Sequence, residues 1–317
     1  MPDVTVTGAN HTIISIPIAS VANAALAQMA MGIVNNEILK GLVTPYDYSG
    51  SGPLRPPAGP SSLDLTGSGR TPVSVPAGTT SVFDPGGSTI YGGQASQQLM
   101  VAGEAGFTYF ANAGAGTVIA GGGNNFIEIG SGSGSHMILT GVGNDTIDAL
   151  YGNDTISAGS GHNRIVLGWG NDSVNVTGAD TIQAGWGAAT ISVAKGATAV
   201  VYGDGGKMDF VDGGSASTVF GGSGAATLQA GSGHDFFYAG SGAETFRFVD
   251  GSAGGSTEIS NFIVGKDFVD LDGYGPNAAA NALKNVTVSH GSLTMTLADH
   301  TTITFEGITH LTTSSFV

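Results

Sequence analysis

The sequence predicts an all-β protein: a right-handed parallel β-roll (β-solenoid) with a short helix-containing N-terminal cap and a β-rich C-terminal cap. Glycine contributes 54 of the 317 residues, against a typical share of about 7%. Hydrophobic residues make up 41% of the chain, which is enough apolar surface for a packed core. A large apolar residue also recurs about every nine residues, and such a period indicates stacked structural repeats.

The recurring apolar residue follows a glycine turn with a Gly-x-(Asp/Asn)-x spacer, most clearly in Gly141–Ile147 and Tyr151–Ile156. A short strand with one inward apolar residue has no core of its own, but stacked copies share one. Glycine is needed where the turns adopt backbone angles that a Cβ would block. The predicted inward positions are Ile90, Leu99, Phe110, Val118, Ile127, Ile138, Ile147, Ile156, Ile165, Val174, Ile182, Ile191, Val200, Phe210, Val219, Leu228, Phe237 and Phe246.

The N-terminal part differs in composition from the repeats. Val4–Ile18 alternates as a strand, and residues 46–74 resemble a Pro/Gly/Ser linker. Between them, residues 19–42 carry apolar residues at helical spacing, namely Val21, Ala25, Met29, Ile33, Val34 and Ile38. We expect the helix to cap the first turns; the alternative is an interaction element that docks onto a neighbouring subunit. The predicted domains are a strand/helix cap and linker over 1–84, a β-roll of about nine turns over 85–250, and a C-terminal β cap over 251–317.

The charge of the chain limits its partners. The net charge is −15, and no Lys or Arg lies between Arg70 and Arg164, so we expect no binding to nucleic acid or to anionic membranes. No apolar run reaches the length of about 18 residues that a membrane span needs. The first basic residue is Lys40, and this argues against an N-terminal secretory signal, which needs a positive start.

The repeats resemble those of the RTX (repeats-in-toxin) family, whose nonapeptide is Gly-Gly-x-Gly-x-Asp-x-apolar-x. The resemblance covers Gly86–Arg247 and is clearest in Gly141–Asn175 and Gly231–Arg247. Ile259–Asp272 is similar to the segment that closes RTX arrays, and Leu293–Phe305 to an uncleaved type I secretion signal, although its alternation equally predicts a β-hairpin. The resemblance implies export by the type I secretion machinery to the exterior or surface of a Gram-negative bacterium.

The resemblance also implies calcium. In the family, the Asp two residues before the apolar residue binds calcium together with turn carbonyls, and each ion needs Asp residues in successive turns on one side. Such positions are sparse here: Asp172 is followed on its side by Ala189, Met208, Ala226 and Glu244, and Asp180 by Thr198, Ser217 and Asp235. We therefore expect one to three ions near residues 145–180; the alternative is that these side chains only cap their own turns. The candidate ligands are the adjacent pair Asp154 and Asp172 and the weaker series Asp145, Asn163 and Asp180.

Three aromatic residues occupy one turn position in successive same-side turns. Tyr151, Trp169 and Trp186 are spaced by about two repeats, and the two tryptophans are the only ones in the protein. An exposed aromatic strip often marks a contact surface. We predict that these residues bind a second copy of the chain or a sugar; the alternative is that they stack on one another and support the roll.

The sequence predicts a protein that is not an enzyme, because its Gly-Ser spacings fall in repeat turns and its few basic residues are dispersed. The leading expectation is a secreted structural protein of the cell surface or extracellular matrix (biofilm, surface layer or filament) that self-assembles with assistance from calcium. A calcium-dependent adhesin or a protein that binds extracellular polysaccharide is the alternative. An ice-binding protein is the third, on account of a hydroxyl column at Thr155, Ser173, Thr190, Thr227 and Thr245.

Overall fold

The computed structural model describes residues 3–9, 13–18, 21–50, 54–66, 72–92, 98–112, 114–130 and 133–317. The chain divides into two compact units, residues 1–165 and 166–317. Each unit is described by itself below.

Unit one begins with two antiparallel strands, β1 (Asp3–Thr7) and β2 (Ile13–Pro17), and the helix α1 (Val21–Leu39). Its later strands alternate between two parallel sheets. Sheet A contains, in spatial order, β3 (Thr44–Tyr48), β4 (Ser61–Leu65), β6 (Thr79–Asp84), β8 (Gln98–Ala102), β10 (Gly114–Ala120), β12 (Ser133–Leu139) and β14 (Thr155–Ser157). Sheet B contains β5 (Pro72–Ser74), β7 (Thr89–Tyr91), β9 (Thr108–Ala111), β11 (Phe126–Ile129) and β13 (Thr146–Tyr151).

The strand β15 (Arg164–Trp169) contains the boundary, and unit two repeats the same alternation. Sheet C contains β16 (Asn171–Val176), β18 (Ala188–Val193), β20 (Met208–Asp212), β22 (Ala226–Gln229), β24 (Glu244–Val249) and β26 (Phe268–Asp272). Sheet D contains β17 (Ala179–Gln183), β19 (Thr198–Tyr202), β21 (Thr218–Phe220), β23 (His234–Tyr238), β25 (Ser256–Ser260), β29 (Thr302–Phe305), β28 (Ser292–Thr296) and β27 (Val286–Ser289). The helix α2 (Ala278–Ala282) and a 3-10 turn, Thr313–Ser315, complete the C-terminal part.

The predicted parallel β-solenoid fold is confirmed in both units, since neighbouring strands pair in parallel and stack their inward residues. Ile138 pairs with Ile156, and Phe210 pairs with Leu228; all four are buried. At three predicted positions the buried residue is instead the neighbour, because Met100, Tyr109 and Val201 point inward in place of Leu99, Phe110 and Val200. A shift of one residue along a strand moves a side chain to the other face.

Parallel pairing begins earlier and ends later than the predicted limits of 85 and 250. On the N-terminal side, β3 pairs with β4, β4 with β6, and β6 with β8. On the C-terminal side, β24 pairs with β26, and β25 pairs with β29. The linker-like stretch therefore contributes strands in its described part, and residues 67–71 lie outside the described residues. β28 and β29 form the predicted antiparallel hairpin.

The N-terminal strands and α1 share a core with sheet A of unit one. Phe83, Val101 and Ile119 on the sheet pack in one buried cluster with residues of β1, β2 and α1. The buried face of α1 consists of Asn23, Ala24, Ala27, Met31 and Val34. Among the helix residues that the sequence pattern emphasised, Val21, Met29 and Ile33 are exposed on the opposite face. No helix among the described residues is long and apolar enough to cross a membrane.

A buried carboxyl group lies in β4 of unit one. The Asp64 side chain is fully buried, and neither of its oxygens has a hydrogen-bond partner among the described residues. The hydroxyls of Ser62 and Ser81, which are paired in register beside it, are also buried without a described partner. Burial, with a smaller contribution from the charge of Asp47, raises the pKa of Asp64 from 3.8 to about 8.

Asp64 predicts a pH dependence of stability. Between pH 3.8 and about 8 the folded state holds a proton that the unfolded chain loses, so the free energy of unfolding falls as pH rises through this window. We expect Asp64→Asn, a neutral isostere, to raise the free energy of unfolding at pH 9 by roughly 1–3 kcal/mol and to have little effect at pH 4. Urea unfolding at both pH values measures this, with the exposed Asp209→Asn as the control; equal effects at both pH values would contradict it.

Candidate metal centre and aromatic ladders

The glycine turns stack so closely that their carbonyl oxygens point at the next turn. A Cβ added at Gly143 would lie 2.0 Å from the carbonyl oxygen of Gly123, and one at Gly161 would lie 1.8 Å from that of Gly143. The same holds in unit two, where a Cβ at Gly206 would lie 1.7 Å from the carbonyl oxygen of Gly187. Real Cβ atoms do not approach backbone this closely, so the stacking itself requires glycine. The result is a cradle of carbonyl oxygens between successive turns.

In many turns, the residue two positions before the inward apolar residue carries a buried polar side chain. In unit one, the backbone N–H of Phe107 donates to Asn125 Oδ1 (3.1 Å), that of Asn125 to Asp145 Oδ1 (2.8 Å), and that of Asp145 to Asn163 Oδ1 (2.9 Å). Each side chain therefore caps the backbone of the preceding turn. Capping within the turn, the predicted alternative, also occurs: Asn125 Nδ2 donates to the carbonyl oxygen of Gly123 (3.2 Å), and the backbone N–H of Gly231 donates to Asp235 Oδ2 (3.0 Å).

Asp145 is the central member of this column. Its Oδ1 also accepts a hydrogen bond from Asn125 Nδ2 (2.8 Å). Its Oδ2 is buried and has no hydrogen-bond partner among the described residues. Burial raises the pKa of this carboxyl, because the charged form loses its hydration. A carboxylate oxygen beside a cradle of turn carbonyls is the donor set that a hard cation such as calcium prefers, so these residues fit the ion that the repeats imply.

Asp154 lies on the other side of unit one. Its Oδ1 accepts a hydrogen bond from the backbone N–H of His136 (2.8 Å), and the imidazole Nδ1 of His136 lies 3.5 Å from the same oxygen. Both side chains are buried. His136 is thus the column residue of the preceding turn, where a second carboxylate would stand in a regular calcium-binding column.

Asp172 and Asp180 are buried in unit two, in β16 and β17. Asp172 pairs in register with Ala189, and Asp180 pairs with Ala199. The next residue in each column is therefore apolar; Ala189 agrees with the prediction, whereas Ala199 stands where Thr198 was predicted. Among the described residues, no cluster of three or more His, Asp or Glu side chains has the arrangement of a metal site, and ion binding at the five candidate ligands stays a prediction.

In two turns the column position holds a serine, and an Asp at the end of the preceding strand accepts the hydrogen bonds of the turn. The sequence did not predict this arrangement. At the end of β20, Asp212 Oδ1 accepts from the backbone N–H groups of Gly214 (2.6 Å) and Ser215 (3.0 Å), and Asp212 Oδ2 accepts from the Ser217 hydroxyl. At the end of β6, Asp84 accepts in the same way from Ser88. The sequence signal is an Asp at the strand end, four or five residues before a buried serine.

Asp235 and Glu244 extend the columns toward the C-terminal end of unit two. The backbone N–H of Ser217 donates to Asp235 Oδ1 (3.0 Å), and that of Glu244 donates to Asp267 Oδ1 (3.2 Å). Burial raises the pKa of both Asp235 and Glu244 to about 7, with Asp212 and Asp267 as the respective neighbouring acids. Asp267 also lies two residues before a buried apolar residue, Val269, and was missed.

The two tryptophans stack, as the supporting alternative predicts. The Trp169 and Trp186 rings have centroids 6.1 Å apart and an interplanar angle of 20°, and their side chains are 58% and 59% exposed. A Cβ on Gly205 would lie 2.3 Å from the Trp186 ring, so one face of this ring rests on bare backbone. Tyr151 lies at the end of β13 in unit one and is also exposed. The tryptophan edges, more than their faces, are open to a partner.

A second aromatic ladder in sheet D was not predicted. Tyr202, Phe220 and Tyr238 are paired in register at the ends of β19, β21 and β23. Their ring centroids are 5.1 and 4.6 Å apart, with interplanar angles of 3° and 11°. The signal was an aromatic residue repeated at a spacing of 18.

The predicted hydroxyl column on sheet C is interrupted, because Asp209 pairs with both Thr190 and Thr227.

The parallel pairing and the glycine turns define a nonapeptide-repeat β-roll. The model of the RTX calcium-binding nonapeptide repeat matches four copies in this chain, at residues 139–174 and 220–254. The chain therefore contains RTX calcium-binding nonapeptide repeats in these two segments. RTX repeats bind calcium and are typical of proteins that Gram-negative bacteria secrete.

A solved structure with similarity to this chain is the extracellular lipase LipA from Serratia marcescens, at 15% identity and a TM-score of 0.27. The alignment covers 74% of this chain and 45% of the lipase, so it spans less than half of that protein. This similarity does not assign the activity of the lipase to this chain. No curated protein matches the chain.

The aspartate–serine closure predicts a specific loss of stability. Removing the Ser217 hydroxyl leaves a buried oxygen of Asp212 without this donor, so we expect Ser217→Ala to lower the free energy of unfolding by about 1–3 kcal/mol. Ser217→Thr keeps a hydroxyl and recovers part of the loss, and Ser241→Ala in an exposed turn has little effect. Urea unfolding in the presence of a calcium chelator measures all three; equal effects of Ser217→Ala and Ser241→Ala would refute the closure.

Proposed function

We propose that this chain is a secreted, calcium-stabilised structural protein of the cell surface or extracellular matrix, with one to three ions bound near residues 145–180. The observation that carries the calcium part is the Asp145 carboxyl, which is buried, uses Oδ1 to cap Asn125 and leaves Oδ2 without a hydrogen-bond partner among the described residues. The same turn lies inside a segment that matches the calcium-binding repeat. The proposal assigns the chain no catalytic role.

Calcium supplies a divalent charge beside the column carboxylates when it is bound. Asp145 would hold it on one side of unit one and Asp154 on the other, each with the carbonyl oxygens of its turns. The Asp172 and Asp180 carboxylates would do the same in unit two. Asn163 would contribute an oxygen without charge. In the turns of Ala189 and Ala226, the apolar column residue leaves nothing for an ion to neutralise.

The Asp145 site predicts that the wild type is more stable than Asp145→Asn in calcium but not in chelator. With calcium at about 100 times its dissociation constant, one site stabilises the folded protein by about 2.7 kcal/mol, and we expect Asp145→Asn to lose this increment. In chelator we expect Asp145→Asn to match or exceed the wild type, because Asn still accepts the Asn125 hydrogen bonds without burying a charge. Calorimetric titration and thermal unfolding, with and without calcium, measure both effects.

The control for this experiment is Asp209→Asn, which removes the same charge from an exposed position on sheet C. We expect it to leave calcium uptake unchanged. Equal calcium uptake by the wild type and by Asp145→Asn would exclude Asp145 as a ligand, and no uptake by the wild type at millimolar calcium would overturn the calcium part of the proposal.

The structural role is supported by the outer surfaces of unit two. Sheet C presents a face of small polar residues, with Ser173 paired to Thr190 and Thr227 paired to Thr245. Sheet D presents the aromatic ladder of Tyr202, Phe220 and Tyr238. Regular ladders of this kind are suited to lateral contacts between copies, since identical rows repeat at the strand spacing. Negative-stain microscopy with and without calcium tests assembly, and monodisperse particles under both conditions would contradict it.

A groove in unit one favours polysaccharide binding as the second candidate function. The groove has a volume of about 490 Å³ and is lined by Gln98, Thr117, Ser135, His136 and Asn153, among others. Amide and hydroxyl groups of this kind suit a neutral sugar, and the groove adjoins the His136–Asp154 pair. A glycan array probed with the wild type and with Asn153→Ala tests this candidate; equal glycan binding by the two proteins, or none by either, removes it.

A further inference from the structure

The helix α1 is apolar on two opposite faces. One face, formed by Ala24, Ala27, Met31 and Val34, is buried within unit one. On the opposite face Val21, Met29 and Ile33 are 75%, 69% and 63% exposed. We call this opposite face the outer stripe and define it by Val21, Ala25, Leu26, Met29, Gly32 and Ile33.

Exposure of the outer stripe is energetically costly. A helix that is apolar on all sides is ordinarily buried on all sides. Each large side chain on the stripe leaves on the order of 100 Å² of apolar surface in water, and Leu39 extends the apolar surface at the C-terminal end of α1 with 77% exposure. The five large side chains, Val21, Leu26, Met29, Ile33 and Leu39, together expose about 500 Å² of apolar surface, which is more than half of the roughly 800 Å² per partner that a standard interface buries.

The stripe carries no charge. Residues 21–36 contain no Asp, Glu, Lys or Arg, although the chain as a whole has a net charge of −15. Two copies of this acidic protein can therefore approach along α1 without bringing like charges into direct opposition. An interfacial helix for a lipid surface is instead rich in Lys and Arg on its polar face, and the first basic residue of this chain is Lys40.

We propose that the outer stripe is a homodimer interface, in which α1 packs antiparallel against α1 of a second copy around a two-fold axis beside Met29. At 100° per residue, Leu26 and Ile33 lie on one flank of the stripe, and Ala25 and Gly32 lie on the other. The antiparallel two-fold sets Leu26 against Ile33 of the second copy. It sets Ala25 against Gly32 of the second copy, where the small residues allow the backbones to approach closely.

This pairing is self-complementary, which a two-fold interface requires. It is separate from the lateral contacts proposed for the solenoid faces and does not use the calcium turns. Gly32 provides a clean probe, because a Cβ at this position would meet no atom within 4 Å in the chain. A larger residue there fills the dimer contact while leaving unit one intact, and removal of a mid-helix glycine stabilises the helix itself.

Sedimentation equilibrium of the full chain in chelator tests the proposal without calcium-dependent assembly. We expect a monomer–dimer equilibrium for the wild type, weakened at least about tenfold by Gly32→Leu and by Met29→Glu. Ser252→Glu adds the same charge at an exposed turn of unit two that belongs to neither solenoid face, and it should leave the equilibrium unchanged. Thermal unfolding at concentrations below the dissociation constant checks that Gly32→Leu remains folded.

Disulfide trapping identifies the contact directly, because the chain has no cysteine of its own. We expect Met29→Cys to form a covalent dimer under mild oxidation, since two copies of residue 29 meet at the axis, and Ser252→Cys in an exposed turn of unit two to remain monomeric. A wild type that stays monomeric at several hundred micromolar would overturn the proposal. So would a monomer that floats with phosphatidylcholine vesicles, since the stripe would then face lipid.

Discussion

The structure depends on one constraint. The column residue, two positions before the inward apolar residue, is buried between stacked turns, and its backbone N–H needs an acceptor. An unpaired backbone donor at such a site costs about as much as a lost hydrogen bond. In the RTX-like turns of unit one, the acceptor is the Asp or Asn side chain of the following turn, as between Asn125 and Asp145. Under the proposed function, calcium would therefore meet a column that is already held together by one carboxylate oxygen.

Turns without a second carboxylate in the neighbouring turn are stabilised in other ways. Asp84 and Asp212, at strand ends, close the turns that have Ser88 and Ser217 in the column. Ala189 and Ala226 remove the side-chain polar group and leave a tight apolar stack. Aromatic ladders add contacts between turns in unit two, where Tyr202, Phe220 and Tyr238 stack. Several devices that need no ion thus support the part of the roll with few predicted calcium ligands.

The sequence predicted the solenoid because its period is set by local chemistry, with glycine at the turns and one inward apolar residue per strand. It correctly predicted which residues align with Asp172 in the later turns, from Ala189 to Glu244. In the other column it predicted Thr198 after Asp180, but an additional turn residue places Ala199 there. It missed Asp84 and Asp212, since strand-end acids fall outside the repeat motif. It emphasised Val21, Met29 and Ile33 in α1, although a helix that is apolar on both sides does not reveal which face the fold buries.

Hydrogen exchange of the turn amides in calcium chelator tests most directly whether inter-turn side-chain capping holds the roll. The account predicts slow exchange for the backbone N–H groups of Asn125, His136 and Ser217 without calcium, because Asp145, Asp154 and Asp235 accept them within the folded chain. Calcium should slow the amides near Asp145 further and leave that of Ser217 unchanged. Rapid exchange of all three amides in chelator, with protection appearing only on addition of calcium, would contradict the account.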